Sequence, residues 1–362
     1  MSSDIKTYDI AVLPGDGIGT EVMPPALGML EAVGRRHGLS FRWTEHDWSC
    51  DRYLKTGAMM PKDAIDQVRG KDAILLGAVG APGVPDHVSL WGMLIPLRRE
   101  LKLYACLRPV RLLQGVRTPL ANRGPGDIDF LVILVVRENV EGEYSQVGGH
   151  FHEGSDEEMV IQDAIFTRRG VDRIITFAFE QASRRQKKHL TSATKSNGVF
   201  YSMPFWDQRF AAVSERYPDV KTDKYHIDNL AANFIQHPDR FDAVVGSNLF
   251  GDILSDLGAA TVGSLGLAPS ANLNPEKDYP SMVEPVHGSA PDIMDRGIAN
   301  PIAQVWSGAM MLEHLGHEDA AREVVSAIET ILASEDAPRT PDLGGKATTS
   351  DVAKALIAAL PK

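Results

Sequence analysis

Short apolar runs alternate with longer stretches of helical periodicity along most of this chain. "DIAVLP" has the length and uniform apolarity of a strand covered on both faces, and a helix over about 18–36 follows it. "DAILLGAVG", "FLVILVV", "HLTSAT", "YHID" and "FDAVVGSN" repeat the strand signal. Helical spacing recurs at 92–102, 171–188, beyond 198, and at 301–314, 318–333 and 350–360. The alternation predicts α/β layers around a largely parallel sheet. The segment 148–169 mixes glycine, charge and short alternating runs, and reads as a β-arm outside the core layers. With neither a fixed repeat nor a low-complexity linker, any domains are expected to interleave.

A length of 362 residues suits two domains or one large bilobal unit. The formal charge of −11 argues against a general nucleic-acid binder but leaves room for a local basic pocket. Cys50 and Cys106 are too few for a disulfide framework or a thiolate metal site. No leader-like segment opens the chain and no apolar run nears the roughly 20 residues of a membrane span. A cytoplasmic location without membrane partners is expected.

The candidate chemistry centres on "NLFGDILSD", residues 248–256. Asp252 and Asp256 are four apart, so a helix would place both carboxylates on one face. Such a pair repels unless a cation lies between, and oxygen ligands suit Mg2+ or Mn2+. Acids favouring the helix dipole explain the spacing equally well. Arg98, Arg108 and Arg137 make a basic set suited to a di- or polyacid, because the guanidinium binds carboxylates bidentately. Arg137 follows the strand "FLVILVV", where an unpaired charge would be costly. Lys195, Tyr144 and Asp228 are ordinary alone. Beside a metal and arginines, a lysine's pKa should fall, making Lys195 a usable base.

"PGDGIGTE" at 14–21 is a strand–glycine–helix turn without G-x-G-x-x-G spacing, so it is read as a generic turn. "EPVHGSAPDIMDRGIANP" instead offers a rigid loop ahead of a helix, fit to meet phosphate oxygens. His287 could bind adenine, and Asp292 could accept from a ribose diol, which favours NAD over NADP.

These motifs together resemble the β-decarboxylating dehydrogenase family of isocitrate and 3-isopropylmalate dehydrogenases. The resemblance runs from "LPGDGIG" through "TSATKSNG", "NLFGDILSDLG" and "EPVHGSAPDI" to "TPDLGG". "VPDHVSLWGMLIPLRRE", "FTRRGVDRI" and "LAPSANLNPE" resemble its tartrate/D-malate branch. The resemblance implies a two-domain α/β/α sandwich of non-Rossmann type. It places a large, cofactor-binding domain at 1–108 and 257–362, and a small domain with the dimer interface and arm clasp at 109–256. It also implies substrate-carboxylate arginines at Arg98, Arg108 and Arg137, and a proton donor at Tyr144. Lys195 would be the base or proton relay, and Asp228, Asp252 and Asp256 the metal carboxylates. NAD would lie against His287, Gly288, Ser289, Ala290, Asp292, Asn300 and Asp342. Lys195 and Asp228 would come from a neighbouring subunit, making the enzyme an obligate homodimer.

The implied reaction is metal- and NAD-dependent oxidation of a small 2-hydroxy dicarboxylate. D-Malate would give pyruvate and CO2; tartrate would give oxaloglycolate, or D-glycerate when meso-tartrate is decarboxylated. A need for K+ and the choice of Mn2+ or Mg2+ stay open. Leu94 sits where an apolar pocket residue is expected, and Trp91 could fill space and favour a small substituent. A 3-isopropylmalate dehydrogenase is the alternative within the family, and a non-catalytic regulatory subunit the alternative outside it. "DIDFLVILVVREN" is about three residues longer than the family's usual run, which predicts a bulge or shifted register before Arg137.

Overall fold

The computed structural model describes residues 5–121, 123 and 131–361. The strands of its main sheet are β1 (Lys6–Gly15), β2 (Leu39–Glu45), β3 (Ala73–Ala78), β4 (Ala105–Arg111), β5 (Val132–Glu138), β8 (His189–Thr194), β9 (Lys221–His226), β10 (Ala243–Gly246), β11 (Pro269–Leu273) and β12 (Ser281–Pro285). They form one ten-stranded sheet in the order β2-β1-β3-β12-β11-β4-β5-β10-β8-β9. A separate antiparallel pair, β6 (Gly148–Phe151) and β7 (Met159–Gln162), forms the expected arm.

Both flanks of the main sheet are parallel, as the alternating pattern predicts. Its middle is not: β12–β11, β11–β4 and β4–β5 pair antiparallel. Three of these strands carry buried polar groups, Arg108 on β4, Asn272 on β11 and Glu284 on β12, which interrupt the apolar signal. Helices cover the sheet, and buried residues from β1, β5, β8 and β10 share one apolar core with them.

Helix ends follow the periodicity closely at Ile18–Arg36 and Glu318–Ala333. The helix expected at 92–102 begins earlier. Asp86–Ser89, a π turn at Leu90–Leu94 and Ile95–Glu100 run on as one rod. Pro96 has no N–H to return to Gly92, and Ile95 N–H bonds back to Leu90 instead. The expected bulge before Arg137 is absent from the described strand. β5 pairs residue by residue with β4 over its full length and keeps step with β10. The rest of that extension, 127–130, lies outside the described residues. Among the described residues, no helix is long and apolar enough to cross a membrane.

Candidate active site

Arg137 leaves the end of β5 almost fully buried, with 2% of its surface exposed. Its Nε and Nη2 donate to Asn248 Oδ1 at 3.1 and 2.7 Å, and its Nη1 to Asp252. Gly251 is required there, because a Cβ would fall 2.5 Å from that of Arg137. Arg108 reaches the same acids from β4. Its Nη1 donates to Asp252 Oδ1 at 3.2 Å, Ser255 Oγ at 2.7 Å and Asp256 Oδ1 at 3.4 Å. The helix Asn248–Thr261 does put both aspartates on one face, and Arg108 is the cation between them. Ser247 caps this helix by accepting from Phe250 N–H.

Burial pushes the Asp252 carboxyl up, but Arg137, Arg108 and the Tyr144 hydroxyl outweigh it and leave the group below the usual carboxylate range. Asp256 goes the other way: burial and the neighbouring Asp252 charge raise it despite Arg108. Tyr144 donates from Oη to Asp252 Oδ2 at 2.9 Å, and its ring lies 5.6 Å from the Arg137 guanidinium. Burial and the Asp252 charge raise its pKa, which keeps the phenol protonated. Arg98 stands behind this group, its Nη2 bonded to the buried Glu284 Oε1 at 2.8 Å. Asn272 donates to the same oxygen at 2.8 Å. Arg98 and Arg108 each keep a buried Nε–H without a partner among the described residues.

Glu138, beside Arg137, is also buried. Its Oε1 accepts from the N–H groups of Asn139, Val140 and Glu141, while Oε2 has no partner among the described residues. Burial, only partly offset by Arg173, lifts it from an ordinary 4.5 to about 7. A raised carboxyl gives full stabilisation below 4.5 and loses it as pH rises through 7. Wild type should therefore lose about 3 kcal/mol of stability across that interval. Glu138→Gln, which retains the acceptor and is never charged, should abolish this slope in urea unfolding followed at pH 5 and pH 8. An unchanged slope would contradict the assignment.

Lys195 and Asp228 meet elsewhere on the chain. Lys195 Nζ donates to Asp228 Oδ1 at 2.5 Å, and that bond holds the Asp228 carboxyl below its ordinary range. Neither touches Asp252, and no group of three potential metal ligands occurs among the described residues. The chain by itself therefore supplies the aspartate pair and the lysine–aspartate pair as separate units. Asp252 and Asp256 fit a hard divalent cation as oxygen donors, with Asp256 held only by the long Arg108 contact.

The nucleotide-type loop lies across the sheet on the glycine turn. Ile18 N–H donates to Ser289 O at 2.9 Å, and a Cβ on Gly17 would sit 2.1 Å from that oxygen. Glu21 accepts from Ala299 and Gly297 N–H at 2.7 and 3.2 Å. The glycines thus dock one loop on another. Ala290 takes a positive φ of 42° just before Pro291, a strained turn of the kind found at ligand sites. Ahead of the helix Ile302–His314, Asn300 Oδ1 accepts from Ile302 N–H at 3.0 Å and Nδ2 donates to Asp342 Oδ2 at 3.0 Å. His287 Nε2 is buried without a partner among the described residues, as a group awaiting a base would be. Asp292 and Gly288 are exposed at the loop surface. Trp91 and Leu94 lie half-buried in the π turn.

The sequence reading missed Asn248 and Glu284, although both stand inside motifs it singled out, and it missed Glu143. The Glu143 carboxylate accepts from Ser247 Oγ at 2.6 Å and Leu249 N–H at 3.0 Å, tying the Tyr144 loop to the start of the aspartate helix.

The sequence pattern described as isocitrate/isopropylmalate dehydrogenase matches residues 9–356. The chain is 55% identical to the D-malate dehydrogenase [decarboxylating] of Escherichia coli (strain K12), over 97% of this chain and 98% of that protein. It is equally 55% identical to the tartrate dehydrogenase/decarboxylase of Pseudomonas putida, over 97% of each. The isocitrate dehydrogenase structure from Methylococcus capsulatus superposes with a TM-score of 0.87 at 33% identity, covering 97% of this chain and 99% of that one. The chain belongs to the isocitrate/isopropylmalate dehydrogenase family, and with it to the oxidoreductases.

Proposed function

We propose that the protein oxidises a small 2-hydroxy dicarboxylate with NAD and a divalent metal ion, Mn2+ or Mg2+. D-Malate would yield pyruvate and CO2; tartrate would yield oxaloglycolate, or D-glycerate through decarboxylation of meso-tartrate. The observation that carries the reading is the junction of Arg98, Arg108 and Arg137 with Asp252 and Tyr144. Hydrogen bonds to the chain itself use only Nη2 of Arg98 and only Nη1 of Arg108 among the described residues, which leaves donors for substrate carboxylates. The two relatives named for D-malate and tartrate add the substrate class.

His287, Gly288, Ser289, Ala290, Asp292, Asn300 and Asp342 would hold NAD, and Asp252 and Asp256 the metal ion together with Asp228 of a second copy. When bound, NAD takes the hydride from C2 and the metal ion draws charge from the oxygen attached to it. Lys195, with Asp228, takes the hydroxyl proton. Once the β-carboxylate leaves as CO2, the bond's electron pair remains on carbon, and Tyr144 Oη–H protonates that carbon. The catalytic unit is then a homodimer with shared sites. The arm exposes Phe151, Met159, Val160 and Ile161, and the helices bearing Asp228 and Asp252 expose Ile235 and Ile253, as an interface requires. The division at 108/109 and 256/257 belongs to the same reading. It cuts β4 and the aspartate helix, the two elements on which Arg108 and Asp252 meet.

A kinetic panel of D-malate, L-tartrate, meso-tartrate and 3-isopropylmalate, with NAD and Mn2+ and with or without K+, tests this. D-Malate and tartrate should turn over. Much better turnover of 3-isopropylmalate would overturn the substrate assignment, and no NAD reduction with any of them would overturn the reaction.

A further inference from the structure

Arg99 follows Arg98 on the helix Ile95–Glu100, yet points to a different task. Its Nη2 donates to the backbone carbonyl of Tyr144 at 2.7 Å, and its Nη1 reaches Gln146 Oε1 at 3.3 Å. Its guanidinium lies over the Trp91 ring, 5.1 Å from the centroid. No carboxylate pairs with it among the described residues, so these neutral contacts fix its position. Burial lowers its pKa from the ordinary arginine value.

Tyr144 is consequently held at two ends. Its hydroxyl is bonded to Asp252 on the helix Asn248–Thr261, and its carbonyl to the helix that follows Trp91. A guanidinium suits this role, since one plane can stack on indole while its edges donate to a carbonyl and an amide.

We propose that Arg99 is the positioning residue for Tyr144. The inference rests on the reading of Tyr144 as proton donor given above. Decarboxylation leaves an electron pair on the carbon that lost CO2; the Tyr144 proton goes to that carbon, and solvent reprotonates the tyrosinate. A displaced Tyr144 leaves the carboxylate-binding arginines in place but slows this transfer.

The experiment compares Arg99→Met, Arg99→Lys and Tyr144→Phe with wild type in three measurements. Arg99→Met should lower kcat for D-malate by about a hundredfold with KM changed less than about threefold, because uniform substrate binding is retained. Enzyme-catalysed exchange of the pyruvate methyl protons in D2O, read by NMR with Mn2+, needs no hydride transfer. It should fall in Arg99→Met as in Tyr144→Phe. A crystal structure of substrate-free Arg99→Met should show the Tyr144 hydroxyl out of hydrogen-bond reach of Asp252. Arg99→Lys, which keeps one donor to the carbonyl, should restore part of all three. Unchanged exchange and an unmoved Tyr144 in Arg99→Met would overturn the proposal. A general loss of activity with Tyr144 placed as in wild type would also overturn it. Wild type that fails to oxidise D-malate would instead count against the function proposed above, and the substrate-free structure would still decide the role of Arg99.

Discussion

Asp252→Ala should lose about 3 kcal/mol of folding stability and lower D-malate oxidation by at least about a hundredfold. The stability loss follows from what the carboxylate neutralises. Arg137 is 2% exposed, and Asp252 is the carboxylate in ion-pair contact with it among the described residues. Removing the acid leaves that guanidinium with the Asn248 carbonyl, the face of the Tyr144 ring and the repulsion of Arg108 and Arg98, which already depress its pKa after burial. A fully buried broken pair costs about 3–5 kcal/mol. The lower end applies because the Asp252 side chain keeps 32% of its exposure and water can partly replace it. Asp252→Asn should recover much of the stability, since its amide oxygen still accepts, while leaving activity low. Urea unfolding together with D-malate kinetics separates the two effects, and an alanine variant as stable as wild type would refute the compensation argument.

Lys195→Met should reduce turnover by about 10²–10⁴-fold with little loss of stability. Its side chain is partly exposed, and the Asp228 side chain bonded to it is 67% exposed, so removing the lysine strands no buried charge. The same variant tests the shared site. Lys195→Met and Asp252→Asn would each be inactive alone. Mixed by refolding or co-expression, they should regain about a quarter of wild-type activity under random pairing in a twofold dimer, because one site of each heterodimer would have every residue intact. Sites confined to single chains would give no recovery.

How much of this was legible in the sequence depends on what each residue does. β1, β5 and β10 are largely apolar and covered, so their runs stand out, as do helices with one buried face. The antiparallel centre was invisible because β4, β11 and β12 carry Arg108, Asn272 and Glu284 inward. The polar groups that build the site erase the pattern by which a buried strand is read. Most candidate site residues were legible through the order of compact motifs along the chain. Asn248, Glu143 and Arg99 were not. They act through bonds to residues 45–111 positions away, and spacing carries no record of such partners.

The π turn before Arg98 gives the helix a length of slack. One extra residue is taken up at Leu90–Leu94, upstream of Pro96, while Arg98 and Arg99 follow on a regular turn. Deleting a residue there would rotate everything before the turn by about 100° and present a different side chain where Trp91 now stands. Arg98, bonded to Glu284 beyond the proline, would keep its place. A single-codon change in length would thus redraw the wall of the proposed pocket without touching the arginine proposed to grip a carboxylate, a cheap route by which one scaffold could diversify its substrates.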